Sequence, residues 1–288
     1  MLVNMKEILR EAEAGKYAIG CINTPNVESI RAVIGAAEEL NVPVIIDHAQ
    51  VHDSLIPIES IGPKMVQYAK KAKVPVCVHL DHGSDYTFVM RALQCGFSSI
   101  MYDCSALPFE KNVSELKAFT ELAHKLNITV EAELGIMSST SDDSHGGAAL
   151  TREDIRKSFT DPDQAADFAE KTGVDALAVC FGTMHGIYAE TPVLDIDRVK
   201  AIRAAVPKDC RVVMHGGSGV DPKQVQQAIQ AGCSKVNYYS YMAKATSKHI
   251  YEKLKAADGN LFYHEVQEDA CQFMKSYIKD ILAMFRNK

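Results

Sequence analysis

Apolar residues in this chain fall into short runs of four to six, and these alternate with longer segments in which they recur every three or four positions. Runs of that length match strands buried on both faces, whereas the longer spacing is that of one helix face. Strands are predicted over 17–22, 43–47, 76–80, 98–102, 129–133, 176–180, 211–215 and 235–238. Helices are predicted over 5–14, 27–40, 61–72, 84–95, 109–126, 162–172, 196–206 and 222–231, with a largely helical tail to Lys288. In the helix over 27–40, Ile30, Val33, Ile34 and Ala37 share a face, and Asn26 stands where a side chain can cap the first turn. Asp161 opens the helix over 162–172, while Gly15 and Gly232 end two others. Two connections interrupt the rhythm: 181–192, and a polar stretch over 137–160 with no apolar periodicity. A connection as long as the second is of the kind that carries function.

Eight strands, each followed by a helix, make the element count of a closed (β/α)8 (TIM) barrel, and parallel strands joined by helices favour it over antiparallel sheets. An open doubly wound sheet is the alternative. Against it, the first strand-to-helix turn, Asn23-Thr24-Pro25-Asn26, has none of the glycines of a dinucleotide fingerprint. The 288 residues, 47% hydrophobic, are enough for one such barrel, and no Ser/Gly/Pro-rich linker divides them, so a single domain over 1–288 with a helical C-terminal tail is expected.

Charge narrows the partners. A net charge of -6 without a long basic tract argues against a nucleic-acid or bilayer-surface binder. No apolar run reaches the roughly 18 to 20 residues of a membrane span, and the N-terminus has no signal-peptide core, so a cytoplasmic location is expected. The eight cysteines are scattered singly with no Cys-x-x-Cys pair, which suggests neither a disulfide framework nor a thiolate metal site. Cys77 and Cys180, inside strand-like runs, are expected to be inert core thiols.

A barrel brings the C-terminal ends of its strands to one face, and the ionisable residues gather at those ends. His79 and Asp81 share a side of strand three, His82 lies just past its end, and Gly83 lets the backbone bend. Glu131 and Glu133 end strand five, His185 follows strand six, and His215 ends strand seven. Three histidines from three separate strand ends, with a carboxylate nearby, suit a zinc ion with an open coordination position that polarises a carbonyl. His48, His52, His124, His145, His249 and His264 lack comparable positions and are expected at the surface or behind the site. After strand seven, His215-Gly216-Gly217-Ser218-Gly219 can expose backbone N–H groups to an anion, where barrels usually bind phosphate.

These segments carry a resemblance. Val78-His79-Leu80-Asp81-His82-Gly83, Val130-Glu131-Ala132-Glu133-Leu134-Gly135, Gly182-Thr183-Met184-His185-Gly186 and His215-Gly216-Gly217-Ser218-Gly219 resemble, in order and over nearly the whole chain, the class II zinc-dependent ketose-bisphosphate aldolases. Phe109-Glu110-Lys111-Asn112 and Thr160-Asp161-Pro162 resemble the tagatose-type branch of that fructose/tagatose-bisphosphate family. The resemblance implies zinc on His82, His185 and His215, Asp81 as acid/base at the C4 hydroxyl, and Glu133 as the carboxylate close to the metal. It implies that Gly186, Gly216, Gly217, Ser218, Asn237 and Ser240 hold the phosphate of dihydroxyacetone phosphate, with Asn23 near the substrate. It further implies a small sugar-phosphate substrate, a monovalent cation (Na+ or K+) as a second cofactor, and a homo-oligomer, dimer or tetramer.

Three departures surround the substrate and spare the metal. Where the family has Gly-Gly-x-Glu-Asp after strand five, this chain has Ser138-Ser139-Thr140-Ser141-Asp142-Asp143; Ser141 replaces the proton-transfer glutamate, leaving Asp142, Asp143 or Glu133 to take its place. After strand eight the pattern reads Asn237-Tyr238-Tyr239-Ser240-Tyr241, adding bulk, and after strand two Asp47-His48-Ala49-Gln50 stands where a small hydroxyl residue is common. Two functions follow. One is an aldolase that reversibly cleaves a ketose 1-phosphate or 1,6-bisphosphate to dihydroxyacetone phosphate and an aldehyde. The other is a non-catalytic accessory subunit of an aldolase, against which the three histidines and Asp81 count.

Overall fold

The computed structural model describes residues 1–135, 137, 152–188 and 191–286. Eight parallel strands form its centre: β1 (Ile19–Asn23), β2 (Val44–Ala49), β3 (Val76–Gly83), β4 (Ser99–Tyr102), β5 (Thr129–Leu134), β6 (Ala176–Val179), β7 (Arg211–Met214) and β8 (Cys233–Tyr238). Each pairs with its neighbours in sequence, and β8 pairs back onto β1, with Cys21 opposite Asn237, so the sheet closes into a barrel and the open doubly wound alternative is excluded. Helices lie between the strands and cover the outside, as short parallel crossovers require. A two-residue strand, Leu2–Val3, extends the sheet beside the start of β3.

The strand pattern explains why the barrel is dry at one end and reactive at the other. Side chains alternate along a strand, so every second residue faces inward. Going up the strands, these inward positions pass from Cys21 to Asn23, Ile45 to Asp47, Cys77 to His79 and Asp81, and Val213 to His215. Ile19, Cys21, Ile45, Cys77, Ala176, Ala178 and Val213 make a buried lower core, closed from below by Met5, Ile8, Leu9 and Ala12 of the helix Met5–Ala14. Burying each large aliphatic side chain contributes about 1.5–3 kcal/mol, which sets this plug firmly under the polar upper layer.

The outward-facing residues pack in a second, larger core under the helices. The C-terminal tail forms two helices, Ser240–Ala256 and Tyr263–Phe285. The second lies against β1 at Gly20, where a Cβ would stand 2.6 Å from Leu282 Cδ2. Two boundaries differ from expectation in ways that matter. The helix after β2 is Ile58–Lys71, starting three residues early because Asp53 Oδ1 accepts the Ile58 N–H and anchors its first turn. Within the polar stretch after β5, Arg152–Lys157 is helical, too short to show an apolar face in sequence. All eight cysteines are free, and burial pushes the Cys77 thiol up to about 12 and Cys180 well above its ordinary value, so both are inert core thiols.

Candidate active site

β3 runs three residues further than its apolar stretch suggests, through Gly83. Its end is irregular: the register against β4 shifts between Leu80 and Gly83, and His82 takes φ 46°. The bend expected at Gly83 therefore falls one residue earlier. A non-glycine residue in this left-handed region is strained by about 1–2 kcal/mol, and here it turns His82 to the same side as Asp81, with Nε2 4.0 Å from Asp81 Oδ1. Gly83 serves a different need, since a Cβ there would lie 2.6 Å from Leu80 Cδ2 and 3.1 Å from Met101 O.

His82, His185 and His215 converge, with one ring nitrogen of each within 4.8 Å of the others. His82 Nε2 faces His215 Nδ1 at 3.0 Å. Behind them, His82 Nδ1 meets Asp103 Oδ2 at 2.8 Å and His215 Nε2 meets Glu131 Oε1 at 2.7 Å. Each carboxylate fixes a proton on the far nitrogen, so the near nitrogens present lone pairs to a common point. Two such lone pairs at 3.0 Å need a positive charge between them. Burial alone would lower the affinity of His82 for a proton, yet Asp81 and Asp103 outweigh it and raise its pKa to about 10. The donor set therefore fits a cation: three imidazoles in an electronegative pocket, each of two held by a carboxylate.

Asp81 is clamped from two sides. Asn23 Nδ2 donates to Oδ2 at 3.3 Å and Asn237 Nδ2 to Oδ1 at 3.1 Å, while Lys235 Nζ donates to Asn237 Oδ1 at 2.7 Å and so orients that amide. Burial would push the Asp81 carboxyl up, but His82, His215 and Lys235 together hold it well below the usual range, so it is ionised. The fully buried Lys235 also pairs with Glu131 at 2.8 Å, linking this clamp to His215. Glu133 differs. Burial and then Asp103 raise it to about 8; its Oε1 accepts the Met137 N–H at 2.9 Å, and its Oε2 is buried without a hydrogen-bond partner among the described residues.

The loop after β7 is shaped by close approach. Gly216 has φ 63°, and a Cβ there would lie 2.2 Å from Met184 O. The buried Tyr188 hydroxyl accepts the Met184 N–H and lies 2.8 Å from the carbonyls of Met184 and Gly216, so it staples the His185 loop to this turn. Gly217 N–H donates to Asn237 O at 3.1 Å, and Ser218 Oγ accepts the Tyr239 N–H at 2.9 Å. Of the predicted residues, Asn23, Asp81, His185, Gly186, Gly216, Ser218, Asn237 and Ser240 line one pocket. His82, His215 and Glu133 flank it, Gly217 supports the turn from behind, and Asp142 and Asp143, with Ser141, lie outside the described residues.

Asp103, Lys235 and Tyr188 were not anticipated. Asp103 sits immediately past a predicted strand end, and Lys235 shares the inward face with Asn237, so both positions held a usable signal. Tyr188 held none, because its role arises from a contact between two loops. His48 and His52, expected at the surface or behind the site, are buried, His52 at the pocket wall. His124 and His249 pair with Asp175 and Asp269 away from it, and His145 lies outside the described residues.

Residues 3–288 match the family profile described as fructose-bisphosphate aldolase class-II. Among solved structures, the YdjI aldolase from Escherichia coli K12 superposes with a TM-score of 0.85 at 33% identity, over 99% of this chain and 97% of that one. A candidate fructose-1,6-biphosphate aldolase from Coccidioides immitis gives 0.83 at 26% identity, over 97% and 94%. A fructose-bisphosphate aldolase from Campylobacter jejuni gives 0.80 at 23% identity, over 99% and 95%, a likeness of fold.

Proposed function

The chain belongs to the class II fructose-bisphosphate aldolase family, and from that membership we propose that it is a zinc-dependent lyase that reversibly cleaves a ketose 1-phosphate or 1,6-bisphosphate to dihydroxyacetone phosphate and an aldehyde. The observation that carries this is the pair of ring nitrogens, His82 Nε2 and His215 Nδ1, facing each other at 3.0 Å beside the clamped carboxylate of Asp81. His82, His185 and His215 would hold the zinc. When bound, it supplies a Lewis acid that polarises the ketone and spreads the negative charge left on the dihydroxyacetone phosphate half.

The other steps belong to this chain's side chains. Asp81 takes the C4 hydroxyl proton in cleavage and returns it in condensation. Each of its oxygens accepts one amide N–H, which leaves a lone pair for the hydroxyl and fixes the direction of approach. The turn Gly216–Ser218, with Gly186 and Ser240 in the same pocket, holds the phosphate and thereby the reacting carbons. Glu133, whose Oε2 is buried without a hydrogen-bond partner among the described residues, would take the C3 proton, with Asp142 and Asp143 as the alternatives in the sequence that follows. Tagatose-type sugar phosphates, a monovalent cation, a homo-oligomer and a cytoplasmic setting accompany this reading; among the described residues no helix is long and apolar enough to cross a membrane.

The test is exchange of the C3 proton of dihydroxyacetone phosphate with solvent deuterium, followed by NMR. Zinc-loaded protein should exchange it and zinc-free protein should not. Asp81→Ala should keep exchange while losing bond cleavage, because C4 belongs to the aldehyde half. No exchange in zinc-loaded protein, with or without added aldehydes, would favour the accessory subunit instead.

A further inference from the structure

One wall of the pocket is made of two rings that the steps above leave without a role. His52 lies in the turn Gln50–Ser54 after β2 and is 6% exposed. That turn is pinned on three sides. Gln50 Oε1 accepts the N–H groups of Ser84 and Asp85, Asp53 Oδ1 accepts the Ile58 N–H, and Arg91 donates to both oxygens of Asp53 at 3.2 Å. Tyr239, just past β8, is tied to the phosphate turn through its own N–H on Ser218 Oγ. Its ring meets the His52 ring edge-on at 5.3 Å. The pair therefore bridges the end of β1, the strand between β8 and β2, and both rings line the pocket with Asn23 and Asp81. Tyr239 also lines a separate cavity of about 520 Å³ between the helices Val27–Leu40, Ser240–Ala256 and Tyr263–Phe285, so the wall there is one side chain thick.

This placement bears on the substrate, and it rests on the reaction proposed above. With the phosphate at Gly216–Ser218 and the C4 hydroxyl at Asp81, the ketose chain runs away from the phosphate turn and its carbons beyond C4 emerge on the Asp81 side. The turn that carries His52 is bonded to Ser84 and Asp85, just past the end of Asp81's strand, and Asn23 bonds Asp81 itself, so both stand on that side of the pocket they line. We propose that His52, steadied by the Tyr239 ring, is a specificity-determining residue for the aldehyde half, and that the chain takes a hydroxylated aldehyde with a hydroxyl beyond its second carbon that bonds the imidazole. The anchors of its turn favour selection over accommodation, because a rigidly held imidazole discriminates between aldehydes by where their hydroxyls fall.

The experiment compares kcat/KM for condensation of dihydroxyacetone phosphate with glycolaldehyde, which has no hydroxyl beyond its second carbon, and with glyceraldehyde, erythrose and threose, each as both enantiomers. The wild type should prefer at least one longer aldehyde. His52→Ala should lower the ratio of that aldehyde to glycolaldehyde by about tenfold, the worth of one hydrogen bond to a bound hydroxyl. His52→Gln, which keeps a donor, should hold the ratio within about threefold of wild type. Tyr239→Phe keeps the ring and should leave the ratio nearly intact, whereas Tyr239→Ala should lower it, an arm independent of whether His52→Ala folds. Equal losses on every aldehyde, or no preference in the wild type, would overturn the assignment while deuterium exchange at C3 leaves the aldolase reading standing. Absence of that exchange in wild type would overturn the aldolase reading itself.

Discussion

Lys235→Met is the perturbation that most directly tests how the polar layer is held together. The lysine is fully buried, with Nζ 2.8 Å from Glu131 Oε2, 3.0 Å from Oε1 and 2.7 Å from Asn237 Oδ1. Burial opposes charge on both partners. Even so, the ion pair holds Glu131 well below the usual carboxylate range and Lys235 well above its ordinary value, so both are charged. Removing the ammonium leaves a carboxylate in the barrel interior with only the imidazoles of His215 and His79 against it among the described residues, and breaking a buried pair in this way costs about 3–5 kcal/mol. Unfolding entropy of about 2.1 cal/mol/K per residue makes about 0.6 kcal/mol/K for a chain of this length, so the melting temperature should fall by about 5–8 °C.

Adding Glu131→Gln to Lys235→Met removes the orphaned charge and keeps an oxygen for His215 Nε2–H. The double variant should therefore recover more than half of the loss, which a double-mutant cycle reads as a coupling of several kcal/mol. Melting should be followed by circular dichroism in excess chelator, because a bound metal stabilises the native state by mass action and would mask the difference. Additive losses would refute the pairing. They would mean that Lys235 contributes through packing of its aliphatic stem and that Glu131 depends on His215 and His79.

Two further outcomes follow from other parts of the molecule. Burial, and then His52, lower the pKa of His48 from 6.5 to about 4, and both its ring nitrogens lack hydrogen-bond partners among the described residues. As the pH falls from 6.5 to 4 the unfolded chain gains a proton that the native one refuses, so native stability should decline by about 3 kcal/mol over that window; in His48→Leu that part of the decline, read from melting curves across the window, should be absent. Tyr188→Phe leaves the Met184 N–H and the Gly216 carbonyl without the hydroxyl that joins them, at about 1–3 kcal/mol, and steady-state assays should show KM for dihydroxyacetone phosphate rising more than kcat falls; an unchanged KM would limit Tyr188 to a structural role.

How much of this was legible in sequence depended on the range of the interaction. The strand and helix rhythm is local, and from it came the barrel and the shared side of His79 and Asp81, whereas Asn23 and Asn237 were implied by the family resemblance alone. That histidines from three strand ends would meet followed from one topological rule applied to that rhythm, while the choice of His82 rather than His79 beside His185 and His215 was implied by the family resemblance. What escaped were pairings between strand ends far apart in the chain. Asp103 could be placed near the site as the residue after β4, but its hydrogen bond to His82 depends on the left-handed turn at His82, which no periodicity encodes. Lys235 opens a predicted strand without any sign of its role, because a buried lysine is intelligible only with its counter-charge, and Glu131 comes from β5. His52 fell in a turn with no apolar pattern, and its place in the pocket wall depends on anchors from Ser84, Asp85 and Arg91 that lie 30 or more residues away in the chain. The histidine cluster is thus built from residues whose motifs are contiguous, whereas the groups around it are joined across the barrel. Substitutions such as Tyr239 and His52 can accordingly alter what the site accepts without touching the motifs that mark the family.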